Sequence, residues 1–295
     1  MKITNKLGLP QVLVDAIAND DYDAGDSDIS VTTLLQPPRK VALGKQYAGQ
    51  LIEDASKRVW AVMGQSVHKL LEMAGPAPGR IIEQRFFGGM EGWKISGQVD
   101  LMETDEDVTT LSDWKYMSVW EVIHAREFEG GVKPEKTAQL NMLRWLAAGE
   151  GVKVDKIQVV SLFRDWSMTK AETDRDYPQT HVFLLKPPLW DENKTGDYIS
   201  ERVLMHQAAQ KEGYGLPDCT EEDRWYSGSK YAVMKKGRKS ALRLLDSQDE
   251  ATQWMSDNLG KGGDSIDFRP GENKRCADYC SVASVCQQYQ EIING

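Results

Sequence analysis

The chain has 295 residues, 40% of them apolar, enough to bury a sizeable core as one large domain or a domain with an annex. Its formal charge of −9 argues against diffuse affinity for nucleic acid, although a local basic groove remains open because the field follows the distribution of charge. No apolar run approaches the roughly 18 residues of a membrane span and the first residues make no secretory signal. A cytoplasmic protein without a membrane partner is therefore expected, its four cysteines facing a reducing compartment where metal binding outweighs disulfides.

Residues 1–43 read as an N-terminal arm. Asp15, Asp20, Asp21, Asp23, Asp26 and Asp28 make its middle an acidic, solvated leader, and Ser30 to Arg39 a short extended piece or helical turn stopped by Pro37 and Pro38. From Gly44 to Met73 a helical period appears, with Leu51, Ile52, Ala55, Val59, Val62, Met63, Val67 and Leu70 at spacings of three and four. It ends before the breaker Gly75-Pro-Ala-Pro-Gly79. His68 and Glu72 flank that stripe one turn apart and can point into a cleft together, although a single helical histidine is more often structural.

Ile81 to Phe87 reads as a strand, followed by two alternating runs, Ile95 to Met102 and Val108 to Lys115. Thr104 to Asp107 supplies turn residues, so a hairpin is expected. With its loop centred on Asp105 and Glu106, Asp100 stands opposite Leu111 and diagonal to Asp113, its carboxylate about 7–8 Å away on one face with Lys115. Two acids that can hold a hard divalent cation, with an amine beside them, suit phosphodiester hydrolysis. The plain alternative is a surface hairpin with an Asp–Lys pair worth about 0–1 kcal/mol.

Thr137 to Ala147 is a helix burying Leu140, Leu143 and Leu146, and Lys153 to Phe163 and His181 to Leu185 are further strands, giving a mixed α/β pattern over residues 44–190. Pro187, Pro188 and Trp190 mark the break to a helical C-terminal region, residues 191–295. There Lys230, Lys235, Lys236, Arg238, Lys239 and Arg243 form a basic stretch with Trp225, Tyr226 and Tyr231 nearby, suited to phosphates and base stacking, or simply a solvated helix face. Cys276, Cys280 and Cys286 cluster near the end and Cys219 stands alone. Four thiolates suit Zn²⁺ or a [4Fe–4S] cluster, against the alternative of reduced packing residues.

Four elements in this order resemble the RecB-type branch of the PD-(D/E)XK nucleases, and the later part resembles its phage-encoded members: Gly64 to Glu72, Gly97-Gln-Val-Asp100, Asp113-Trp-Lys115 and Gln139-Leu-Asn141. The resemblance implies a restriction-endonuclease-like core, a mixed sheet flanked by helices, with a helical annex stapled by cysteines. It implies Mg²⁺ or Mn²⁺ held by His68, Asp100, Asp113 and the Trp114 carbonyl, Lys115 as catalytic lysine and Gln139 as a supporting residue. The cysteines would hold a structural iron–sulfur cluster. Val99 stands where the superfamily has proline, and Leu143 where this branch often has tyrosine. Relatives take their first cluster cysteine from ahead of the histidine helix, so here Cys219 would have to serve. The implied activity is a DNA exonuclease of recombination, repair or replication in the cytoplasm (a host's, if phage-encoded), with DNA ends and a recombination or single-strand-binding protein as partners. The competing expectation is a non-catalytic nucleic-acid-binding module stapled by zinc or a cluster.

Overall fold

In the computed structural model the alternating runs on either side of residue 92 and residue 106 become adjacent strands, because each junction places two residues in the left-handed region that a two-residue hairpin turn requires. Glu91 and Gly92 have φ of 50° and 76°, and Glu106 and Asp107 have 45° and 66°. The structure describes residues 1–19, 25–211 and 215–294. In chain order the strands are β1 (Lys2–Thr4), β2 (Ile29–Ser30), β3 (Ile52–Asp54), β4 (Arg80–Met90), β5 (Trp93–Asp105), β6 (Val108–Met117), β7 (Lys156–Phe163), β8 (Val182–Leu185), β9 (Lys230–Met234), β10 (Arg243–Leu245) and β11 (Ser265–Arg269). The helices are α1 (Gln11–Ala18), α2 (Val31–Leu34), α3 (Pro38–Gln46), α4 (Val59–Glu72), α5 (Val119–His124), α6 (Pro134–Gly149), α7 (Met168–Thr173), α8 (Glu192–Gln210), α9 (Gln248–Asp257) and α10 (Gln287–Asn294).

Contacts divide the chain into two units, residues 1–42 with 48–215, and residues 43–47 with 216–295. The first is α/β: a mixed six-stranded sheet in which β4–β5, β5–β6 and β7–β8 are antiparallel while β2–β5 and β6–β7 are parallel. Its core joins Phe86, Ile95, Val99 and Leu111 of the sheet to Leu140, Leu143 and Leu146 of α6. Each such side chain contributes about 1.5–3 kcal/mol on burial. Helix and sheet approach closely at Gly97, where an added Cβ would lie 2.4 Å from Leu143 and 2.9 Å from Leu146.

The expected arm at residues 1–43 is instead, up to residue 42, part of this unit. β1 pairs with β3, β2 pairs with β5, and Val31 and Leu34 are buried. Of the acidic leader, Asp20, Asp21 and Asp23 lie outside the described residues. Asp15 is in α1, while Asp26 and Asp28 hold Lys94 through its ammonium and its amide. The expected helix over residues 44–73 is broken: Ile52 lies in β3, and Asp54 takes hydrogen bonds from Lys6 and Ser56 that turn the chain before α4 starts. A helical period does not reveal such a carboxylate-capped break. The boundary near residue 190 also moves, since α8 packs on α6 and α2 within the first unit.

The second unit is not helical throughout. β9 pairs antiparallel with both β10 and β11, and α9, opened by a capping box at Ser247 and Glu250, packs on this sheet. Ala232 and Val233 are adjacent and both fully buried, which only a strand covered on two sides allows. Lys230 lies in β9 and Arg243 in β10, while Lys235, Lys236, Arg238 and Lys239 lie in the connection between them, where Gly237 turns the chain at φ 80°.

Candidate metal centre

The two hairpins align three acids. Glu83 falls opposite Asp100, between the pairs Ile82–Leu101 and Gln84–Val99. The β5–β6 ladder runs from Asp105–Val108 to Leu101–Ser112 and stops beside Asp100 and Asp113. Asp100 is thus level with Asp113 and not with Leu111, because the turn is centred one residue later than expected and the register moves by two. Neither ladder closes at this row. Glu83 has φ 50°, unusual for a residue with a side chain, and the Trp114 amide donates to Asp100 Oδ2 at 2.7 Å.

β5 has β4 along one edge. Its other edge pairs with β2 at Ile95 and Ser96 and with β6 from Leu101, so among the described residues Gly97 to Asp100 have no strand there. A cleft of about 540 Å³ occupies this divergence, lined by His68, Glu83, Asp100, Asp113, Lys115 and Gln139 among others. The parting of neighbouring strands creates room for a ligand, as at strand-order reversals in open sheets.

His68, projecting from α4, sets Nδ1 3.3 Å from Glu83 Oε1 and 3.5 Å from Asp100 Oδ1. Gln98 donates to Glu83 Oε2 at 2.6 Å and accepts from Arg85 at 2.8 Å. Lys115 Nζ lies 2.8 Å from Asp113 Oδ1, to which Gln139 of α6 also donates at 3.2 Å. Among the described residues, the metal-capable group with one ligand atom from each residue within 4.8 Å of the others is His68, Glu83 and Asp100. The structure therefore brings together His68, Asp100, Asp113, Lys115 and Gln139. It adds Glu83 to His68 and Asp100; Glu72 lines the same cleft as expected but pairs with Lys69 and is not part of the metal-capable group.

Burial, then the charge of Asp113, pushes Asp100 up to about 7. Burial opposes the charge on Lys115, but Asp113 and Asp100 outweigh it and hold the amine above its ordinary value. His68 is raised, first by its bond to Glu83. Burial opposes ionisation of Glu83, yet the bonds from His68 and Gln98 leave it below the usual range. Two acids facing each other at this depth favour a proton or a cation between them. Imidazole nitrogen with carboxylate oxygens suits Mn²⁺ and, less closely, Mg²⁺.

In the second unit Gln288 clamps the Cys219 backbone, accepting from its amide and donating to its carbonyl at 2.9 Å each. Burial, then Asp223, then Cys286, Cys276 and Cys280 push the Cys219 thiol up to about 12, so the four cysteines share one neighbourhood. Among the described residues no three of their sulfurs lie within 4.8 Å of one another. Tetrahedral Zn²⁺, with bonds of about 2.3 Å, needs sulfurs about 3.8 Å apart. Of the basic residues, Lys230 pairs with Asp246, Lys235 donates to the Lys261 carbonyl and Arg238 to Ser240.

No family model matches the sequence, and no curated protein matches it. Among solved structures, the crystal structure of SSO0001 is similar at 17% identity, over 66% of this chain and 85% of that chain, with a TM-score of 0.42. No helix among the described residues is long and apolar enough to cross a membrane.

Proposed function

We propose that the chain is a divalent-cation-dependent deoxyribonuclease with a restriction-endonuclease-like core, acting on DNA ends as the RecB-type resemblance implies. The observation that carries this reading is Lys115 Nζ held 2.8 Å from Asp113 in the same cleft as the His68, Glu83 and Asp100 group. His68, Glu83 and Asp100 would hold the cation, with Asp113 and the Trp114 carbonyl beside them. A bound divalent ion supplies Lewis acidity toward a phosphoryl oxygen and lowers the pKa of a water. The raised pKa of Lys115 keeps it an ammonium at neutral pH, so it offsets charge growing on the phosphoryl group and does not abstract a proton. Gln139 fixes the carboxylate on which Lys115 rests.

The four thiols of the second unit would hold a structural cluster. Burial first, then Asp223 and the other cysteines, raise the Cys219 thiol, and a positive metal centre would stabilise its thiolate; four thiolates suit the [4Fe–4S] cluster that the resemblance implies, with tetrahedral Zn²⁺ as the alternative. Partners on this reading are DNA and a recombination or single-strand-binding protein, in a cytoplasmic setting.

The test is degradation of end-labelled DNA with Mn²⁺ or Mg²⁺. Wild type should digest, and Lys115→Ala should lose about 10²–10³ in rate. Equal digestion by both would remove Lys115 from the chemistry, and no digestion by wild type would overturn the reading.

A further inference from the structure

Within the second unit, residues 224–245 hold Arg224, Lys230, Lys235, Lys236, Arg238, Lys239 and Arg243 and no acid at all, in a chain of net charge −9. Two aromatic pairs, three of whose four rings are exposed, belong to the same region. Tyr231 and Phe268 face each other across β9 and β11 with ring centroids 5.3 Å apart, and Phe268 is 58% exposed. Trp225 and Tyr279, 47% and 67% exposed, also lie 5.3 Å apart, with the Arg275 guanidinium 5.4 Å from the Trp225 ring.

Chain topology puts both pairs at one end of the small sheet. β9 starts and β11 ends there, and the segments just beyond are zipped together by Tyr226–Asn273 bridging and by Ser227 donating to the Glu272 carbonyl. Trp225 is held at φ 52°, a backbone conformation that costs energy for a residue with a large side chain, and it is 47% exposed there. Tyr226 is built differently. Its ring fills the space over Gly271, where a Cβ would lie 2.5 Å away, and its hydroxyl meets Ser229 at 2.8 Å, so it is structural.

We infer that Trp225, Tyr279 and Arg275, with Tyr231 and Phe268, form a stacking platform for unpaired bases of a single nucleic-acid strand whose phosphates run along the acid-free basic segment. Exposed rings beside cations match such a strand, whose base faces are free, whereas in a duplex those faces are stacked inside. The phosphate run supplies the complementary charge. This inference rests on the nucleic-acid reading above, but binding without cutting tests it separately.

Anisotropy titrations of the full chain without added divalent cation would use a labelled oligo(dT) of about 20 nucleotides and a duplex of the same length. Trp225→Ala with Tyr279→Ala, and Phe268→Ala separately, should each weaken oligo(dT) binding about 5- to 100-fold, leaving duplex binding and the salt slope unchanged. Trp225→Phe with Tyr279→Phe should restore most of the affinity. Circular dichroism identifies any variant that fails to fold, in which case Tyr279→Ala alone serves. Unchanged oligo(dT) affinity, equal losses on both strands' forms, or no binding of either probe by wild type would overturn the proposal. Each of these leaves digestion dependent on Lys115 to stand or fall by itself.

Discussion

At the residue scale, Glu83 depends on Gln98 for its orientation, and Gln98 on Arg85. Removing the amide should loosen a ligand without deleting it: Gln98→Ala is expected to lower Mn²⁺ affinity about 10- to 100-fold by calorimetry. The same cluster sets a pH dependence. Between its ordinary 3.8 and about 7, Asp100 stays protonated in the native chain while the unfolded chain is ionised, so the native state binds more protons and stability falls as pH rises through that window. His68, raised above 6.5, contributes with the same sign at higher pH. The melting midpoint of the metal-free protein should therefore fall as pH rises from about 4 to about 7, and Asp100→Asn should flatten the fall. His68 as a metal ligand and Gln139 entered only through the family resemblance of their segments, whereas Asp100, Asp113 and Lys115 were legible from the alternation of a local hairpin. Glu83 was not, because its place depends on counting back from the Glu91–Gly92 turn, a signal present in the sequence but usable only once that turn is recognised.

At the scale of elements, the hairpins and α6 follow from periodicity, and the errors lie where side chains reset the backbone. Asp54 ends what looked like one long helix, and the Glu106–Asp107 turn carries the β5–β6 register. Both turn residues are left-handed without being glycine or asparagine, so changing them to Asn-Gly should stabilise the first unit by about 1 kcal/mol. That corresponds to roughly 2–4 °C in melting midpoint for a unit of this size. Gly97→Ala should act in the opposite direction. Leu143 and Leu146, which its Cβ would meet, are buried and closely packed, so a loss of about 1–3 kcal/mol in denaturant unfolding is expected.

At the scale of the molecule, the mixed sheet of the first unit matches the expected architecture, while the second unit combines strands with helices where helices alone were expected. Its strands are only three to five residues long and the first two are joined by a lysine- and arginine-rich connection, so the stretch reads as a basic helix until pairing partners are known. Cysteine loading is testable there: anaerobically purified protein should be brown, and Cys219→Ser should bleach it and lower the unfolding temperature of the second unit. A colourless protein with stoichiometric zinc would remove the cluster. All the acids of the cleft, with His68, Lys115 and Gln139, precede all four cysteines in the chain. On the cluster reading proposed above, cells starved of iron should therefore accumulate chains whose cleft residues are all in place and whose cysteines are unloaded. Nutrient supply would then act on one unit while leaving the other assembled.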